Sequence, residues 1–534
     1  MSCLPIKKNI YFSEKQPKMA KVNLDAIIPR EDFEVQDNIN PGKKKETLSI
    51  EDIKADSFFF TNVRKPDFQR ETNEWDGKKI AEFIESFLAG DLIPAIILWR
   101  SSGGYLFVID GSHRLSSLAA WINDDYGDGV ISKQFYDGII PDEQVEIAED
   151  ARKGIRKRVG AYSDYKLALT NPDKVSQEIQ KKAKNLAALA IQVQWVEGDA
   201  SKAENSFFKI NQQAAPIDKT ELVLLESRRK PNCIAARAIK RGGKGHKYWS
   251  SFTEENQIKI QEIAKEINSV LFAPSLQTPI KTLDIPIGGK NYSAQTLPLI
   301  LEFVNIVNEI PLDFKKSLDD DLTGDETVKF LQKTRKVAWR INSNHPSSLG
   351  LHPVVYFYSQ DGRHKIASFY AIIALLNYLE EKNMFNSFIL VRENFEDALL
   401  KYDYLVQQIN RRYRSALGSY MHIKDFYLAL INKLNSQSDI NKIITEIMNH
   451  ADFNYLTASV EPSEITSNKF STERKSAVFI KEALQNAPKC QICRGIIHRN
   501  SISIDHVTRK EDGGLGSLDN GQISHPYCNT TFKN

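Results

Sequence analysis

The sequence predicts a multidomain α+β chain: an α/β domain first, a helical middle, and a small metal-held unit at the C-terminal end. Three observations carry that reading. At 534 residues the chain exceeds what one hydrophobic core serves, so about three folding units are expected. Apolar residues follow a strand–turn–helix grammar up to about residue 225 and a helical period beyond it. Three of the five cysteines, Cys490, Cys493 and Cys528, crowd the end of the chain, far from Cys3 and Cys233. Such clustering suits a metal site in a reducing compartment better than a disulfide framework.

Composition excludes several classes. A hydrophobic fraction of 41% with 26% charged residues describes a globular chain, not a disordered or fibrous one. The net charge of +3 is too mild to imply a nucleic-acid partner, so a basic surface has to come from local clustering. The longest apolar stretch, 366–379, is too short and too polar for a bilayer span. Met1-Ser-Cys-Leu-Pro-Ile-Lys-Lys8 lacks the apolar core of a signal peptide. The expected location is cytoplasmic, with no membrane partner.

Residues 1–50 are polar, close on Asn40-Pro-Gly-Lys-Lys-Lys45, and read as a loose arm. An α/β domain is expected over 51–225. Ile80, Ala81, Phe83, Ile84, Phe87 and Leu88 recur at helical spacing. Strands are expected at Pro94–Trp99 and Tyr105–Ile109 around a Gly103-Gly104 turn. A helix lined by Leu115, Leu118, Ala119 and Ile122 follows, and Ile191–Trp195 supplies a last strand.

A helical coupling domain is expected over 226–485, with stripes at Ile258–Leu271, Leu297–Ile310, Thr327–Ile341, Ile366–Leu379 and Glu396–Leu417, then Ser471–Gln485. The last unit is 486–534. One weak internal echo pairs Asp110-Gly-Ser-His-Arg with Asp361-Gly-Arg-His-Lys; shared turn grammar explains it as well as duplication does.

Cys490-Gln-Ile-Cys493 and His525-Pro-Tyr-Cys528 are two pairs with the two-residue spacer that aims both ligands at one ion. Structural Zn²⁺ would supply free energy that a unit of this size cannot gain from apolar burial alone. Between the pairs lie Asp505-His506 at the end of a strand, the loop Glu511-Asp-Gly-Gly-Leu-Gly516, and Asn520. Cys528-Asn529 opens a short terminal helix. This order resembles the HNH (ββα-metal) endonuclease family over Lys489–Lys533, with His525 in place of a usual cysteine.

That resemblance implies His506 as general base, Asn520 orienting its ring, and Asp505 and Asn529 as ligands of a catalytic Mg²⁺ or Mn²⁺. Adjacent strand residues point oppositely, so a kink or bulge is expected to bring Asp505 and His506 together. His498 is read as a surface histidine.

Phe68-Gln69-Arg70, Trp75 and Asp110-Gly111-Ser-His113-Arg114-Leu-Ser116-Ser117 form a second cluster, with Phe207-Phe-Lys-Ile-Asn211 and Glu221-Leu222 downstream. It resembles the ParB-like N-terminal domain of GmrSD-type restriction proteins, with Ser112-His113 where that family has Gln-Gln. The resemblance implies an anion or nucleoside triphosphate at Gln69, Arg70, Asp110, Gly111, His113, Arg114, Ser116 and Ser117. The corner itself offers backbone N–H groups and a helix N-terminus. The competing reading makes Asp110 a helix cap and Arg114 half of an internal ion pair.

Arg228, Arg229, Lys230, Lys240, Arg241, Lys244 and Lys247 form a basic run with Tyr248 and Trp249 beside it, as DNA contact requires. Arg152–Arg158 and Arg411–Arg414 read as solvated faces. Taken together, the sequence predicts a DNA endonuclease with a one-metal HNH centre gated by its N-terminal sensor, in modification-dependent restriction or anti-phage defence. NTPase activity is left open. Two alternatives remain: a nucleotide-dependent DNA clamp whose zinc unit only grips, and an RNA-directed nuclease. One centre cuts one strand per encounter, so double-strand cleavage calls for a homodimer or two visits.

Overall fold

The computed structural model of the chain describes residues 20–31, 43–66, 69, 72–135, 140, 142–214, 223–224, 227–243, 249, 252–291, 295–311, 317–458 and 470–533, with the side chains of 142–143, 208 and 211–214 excepted. Its first part is built on a six-stranded mixed sheet. In chain order the strands are β1 (Arg30–Glu31), β2 (Thr47–Ser49), β3 (Val63–Pro66), β4 (Ile96–Arg100), β5 (Leu106–Asp110) and β6 (Ala190–Val196). In space they run β1-β3-β5-β4-β6-β2. The β4–β5 and β2–β6 pairings are antiparallel and the others parallel.

Helix α1 (Gly77–Ala89) packs Ile80, Ala81, Ile84, Phe87 and Leu88 into this domain's core, as its spacing requires. Asp76 caps it by accepting from the Lys79 amide at 2.9 Å. Helix α2 (Ser112–Asn123) leaves the end of β5 through Gly111, whose φ of +97° is one that a side chain would strain. The polar-arm reading fails in the two described parts of that segment, 20–31 and 43–50. Val22, Leu24, Ile27, Ile28 and Leu48 belong to the same core, and β1 and β2 are the sheet's two edge strands. Interspersed lysines and prolines hid this short apolar pattern.

Beyond residue 226 the described elements are helical until the final hairpin. Helix α3 (Pro231–Lys240) is buried along all but its last residue. Around it lie α4 (Glu254–Phe272), α5 (Thr296–Val307), α6 (Asp325–Ile341) and α7 (Ile366–Glu381). Ile258 is an exception to its predicted stripe, standing 47% exposed. The single helix expected from Glu396 to Leu417 is three: α8 (Phe385–Lys401), α9 (Asp403–Tyr413) and α10 (Ala416–Leu434). Arg414 adopts φ +63°, and Ser415 caps α10 through the Gly418 amide at 3.0 Å; apolar spacing carries neither signal. Helix α11 (Thr472–Gln485) is capped by Ser471.

The echo at Asp361 shares a positive-φ glycine, Gly362, but α7 starts five residues after Asp361 whereas α2 starts two after Asp110. The two corners are the same turn grammar in different registers.

The C-terminal hairpin, β7 (Ser503–His506) with β8 (Gly521–Ser524), does not stand apart. Cys490, Cys493, Ile496, Ile497, Tyr527 and Cys528 sit in one continuous hydrophobic core with the helical region. A self-contained terminal module, held by metal alone, is therefore not what forms.

Candidate nuclease centre and anion-binding corner

The chain turns at Cys490–Gly495 because the Arg494 amide donates to Cys490 O and the Cys490 amide to Gly495 O, both at 2.9 Å. Arg494 takes φ +59° to close that knuckle. Ser524 ends β8, and His525 and Cys528 follow at once. One ligand atom from each of Cys490, Cys493, His525 and Cys528 lies within 4.8 Å of the other three, and all four residues are buried. Ligands about 2.3 Å from a shared Zn²⁺ need that spacing, and three sulfurs with one imidazole are its ordinary donors. His525 Nδ1 faces Cys493 Sγ at 3.3 Å while Nε2 reaches Ile496 O at 3.3 Å, which fixes the ring's orientation. Hydrogen bonds from Cys493 and Cys528 hold the Cys490 thiol far below the usual thiol range.

The hairpin register runs unbroken from Ser503 opposite Ser524 to His506 opposite Gly521. The expected bulge is absent, so Asp505 and His506 leave the strand in alternate directions. What links them is Lys533, whose ammonium pairs with Asp505 Oδ2 at 2.7 Å and donates to His506 O. Gln522 Nε2 gives a second bond to Asp505 Oδ2, 2.6 Å. Asp505 is 6% exposed, so this carboxylate is a buried anion already matched to a cation. Asn529 lies against the same strand, its Nδ2 on Ser503 Oγ at 2.7 Å and Ile504 O at 3.3 Å.

His506 is half-buried, and among the described residues its ring makes no hydrogen bond to the protein. Asn520 does not hold it. Its Oδ1 accepts the Thr508 amide at 2.7 Å, and its Nδ2 donates to Thr508 O and Leu515 O. Asn520 thus closes the glycine-rich loop, a backbone task that its position in the motif does not disclose. His498 is fully buried, where a surface residue was expected. Asn342 Nδ2 donates to its Nδ1 at 2.9 Å, and burial pushes its pKa down to about 4.

At the N-terminal corner Arg114 binds Asp110 Oδ2 at 2.7 Å and Ala95 O at 3.1 Å. Gly111, not Asp110, occupies the cap position. Gln69 Nε2 reaches Ser112 Oγ at 3.2 Å, and His113 stacks on Trp75 with centroids 5.7 Å apart. Arg70, Glu221 and Leu222 lie outside the described residues, as does the Asn211 side chain. Among the described residues, four buried polar atoms here have no hydrogen-bond partner: Gln69 Oε1, Arg114 Nε, Ser116 Oγ and Ser117 Oγ. Native folds leave few such atoms unsatisfied.

The basic run is mostly spent inside the protein. Arg228 pairs with Glu204 and Arg241 with Glu31, bridging the helical region to the α/β domain. Lys230 donates to Leu318 O and Lys240 to Asn291 O, while Trp249 is fully buried. Arg229 is exposed; Lys244 and Lys247 lie outside the described residues. A DNA-facing patch over 228–241 is therefore corrected to a domain seam. A run of cations reads the same in sequence whether it faces DNA or pairs with distant carboxylates.

Two family models match the chain. Residues 48–226 match the GmrSD restriction endonuclease N-terminal domain, and residues 490–534 match HNH endonuclease. The chain joins a GmrSD-type domain to an HNH domain. No curated protein and no solved structure matches it. Both matches are to endonuclease domains, which supports a nuclease of the restriction and defence kind, and the Cys/His cluster suits a metal such as zinc. No helix among the described residues is long and apolar enough to cross a membrane.

Proposed function

We propose that the chain is a DNA endonuclease whose HNH centre is gated by its GmrSD-type domain, in modification-dependent restriction or anti-phage defence. The observation that carries the catalytic part is the Cys/His frame around a hairpin with a partner-free imidazole at its end and a buried carboxylate paired with a cation. His506, half-buried at the end of β7, takes the proton from the attacking water. Asp505 and Asn529 would hold Mg²⁺ or Mn²⁺, for which Lys533 supplies the positive charge in the present arrangement. When bound, the ion neutralises charge on the scissile phosphate. Asn520 serves by keeping the loop closed behind the hairpin.

The four orphaned atoms around Gln69, Arg114, Ser116 and Ser117 support the gating part. A polyphosphate or its ordered waters would complete their hydrogen bonds, and the α2 N-terminus favours an anion. A nucleoside triphosphate is the proposed occupant, with hydrolysis as a separable step.

The test is plasmid incubated with the protein and Mg²⁺ or Mn²⁺, across a nucleotide panel, on unmodified, base-modified and backbone-modified DNA. Metal-dependent strand breaks that disappear in His506→Ala are expected. Binding without breaks under every condition would favour a clamp instead.

A further inference from the structure

The helical region reaches the metal cluster at Arg392 and the residues around it. Arg392, on α8, is fully buried. Its Nε binds Glu396 Oε1 at 2.7 Å, its Nη2 donates to Gly350 O at 2.9 Å, and its Nη1 donates to Leu349 O. The same Nη1 lies 3.2 Å from His525 Nδ1, the ring nitrogen that faces Cys493. Glu396 completes the link from the other side, its Oε2 accepting the Ile496 amide at 2.9 Å. The approach is close enough to exclude side chains. A Cβ on Gly495 would fall 2.3 Å from Arg392 Nε, and one on Gly350 2.3 Å from His525 Cδ2.

The charge arithmetic gives this contact a purpose. Three thiolates and a neutral imidazole around Zn²⁺ carry a net charge of −1. An unmatched charge in a protein interior is expensive, and a guanidinium with five fixed donors is suited to meet it. Glu396 binds one edge of the fork and two carbonyls orient it, so the positive end of a buried Arg–Glu pair faces the cluster.

We propose that Arg392 is a positioning residue for the zinc frame, the counter-charge through which metal loading and docking of the HNH hairpin onto the helical region become one event. The cutter then does not swing on a tether; gating works by admitting DNA to a fixed hairpin. This rests on the zinc reading of the cluster, and the test separates the two.

Zinc bound by the full-length parent is measured first, then its retention against a chelator in Arg392→Met, Arg392→Lys and Glu393→Gln. The last, next to Arg392 on α8, changes only a half-exposed pair with Lys489. Arg392→Met is expected to weaken zinc retention about 10–100-fold, the usual effect of losing an outer partner of a metal site, with Arg392→Lys intermediate and Glu393→Gln unchanged. Because Arg392→Met risks misfolding, hydrogen exchange is also followed on the parent with and without chelator. Zinc removal should expose amides of 348–356 and 385–401 while leaving the β3–β6 sheet protected. Parent-like zinc retention in Arg392→Met, or lost protection confined to 488–533, overturns the proposal. A parent that binds no zinc ends the cluster reading and this inference with it.

Discussion

At the scale of single residues, the HNH hairpin divides its labour differently from its motif. His506 is the residue left free to act, so His506→Ala should lower cleavage by about two to four orders of magnitude with an unchanged unfolding transition. Lys533 is a competitor for the buried carboxylate of Asp505. Lys533→Met should therefore lower the Mn²⁺ concentration that half-saturates cleavage, and a rise in that concentration would contradict the assignment. Gly350 tests the seam between helix and hairpin. Gly350→Ala places a methyl against the His525 ring at φ +60°, and a loss of about 1–3 kcal/mol in unfolding free energy is expected, with weaker zinc retention. The places of Cys490, Cys493, His525 and Cys528 in one cluster were legible because ligand type and spacing announce them. Those of Asn520, Lys533 and Arg392 were not, since each depends on which backbone or cluster folds against it.

At the scale of elements, burial sets the chemistry. His498 packs its imidazole against Asn342 on the helix α6 side, and its pKa of about 4 lies below the ordinary 6.5. A group depressed in the folded state binds protons more weakly there than in the unfolded chain. Its contribution is complete above pH 6.5 and is lost as pH falls toward 4. Thermal unfolding across that window should show stability declining on acidification, with a shallower decline in His498→Gln. The helices α8, α9 and α10 show the limit of periodicity: one apolar stripe suggested a single helix, while a break at Tyr402 and then the left-handed Arg414 with its Ser415 cap divide it. The basic run over 228–241 was misread for a related reason. Its sequence shows cations, and only the neighbours Glu204 and Glu31 show that they are already paired.

At the scale of the whole molecule, the nuclease and the helical region are one body around one core. Removing residues 486–534 should leave a protein that melts well below the parent and exposes apolar surface, measured by calorimetry and dye binding. Parent-like melting of the truncated chain would mean that the shared core is incidental. The α/β start, the helical middle and the Cys/His ligand set were legible from residue order alone, because these follow from periodicity, spacing and side-chain type. Only the tertiary structure decided that the polar-looking start completes the sheet, that the basic run is a seam, and that Arg392 stands behind the metal cluster. Those facts depend on contacts between residues far apart in the chain, and no local pattern encodes which distant partner a buried charge will meet.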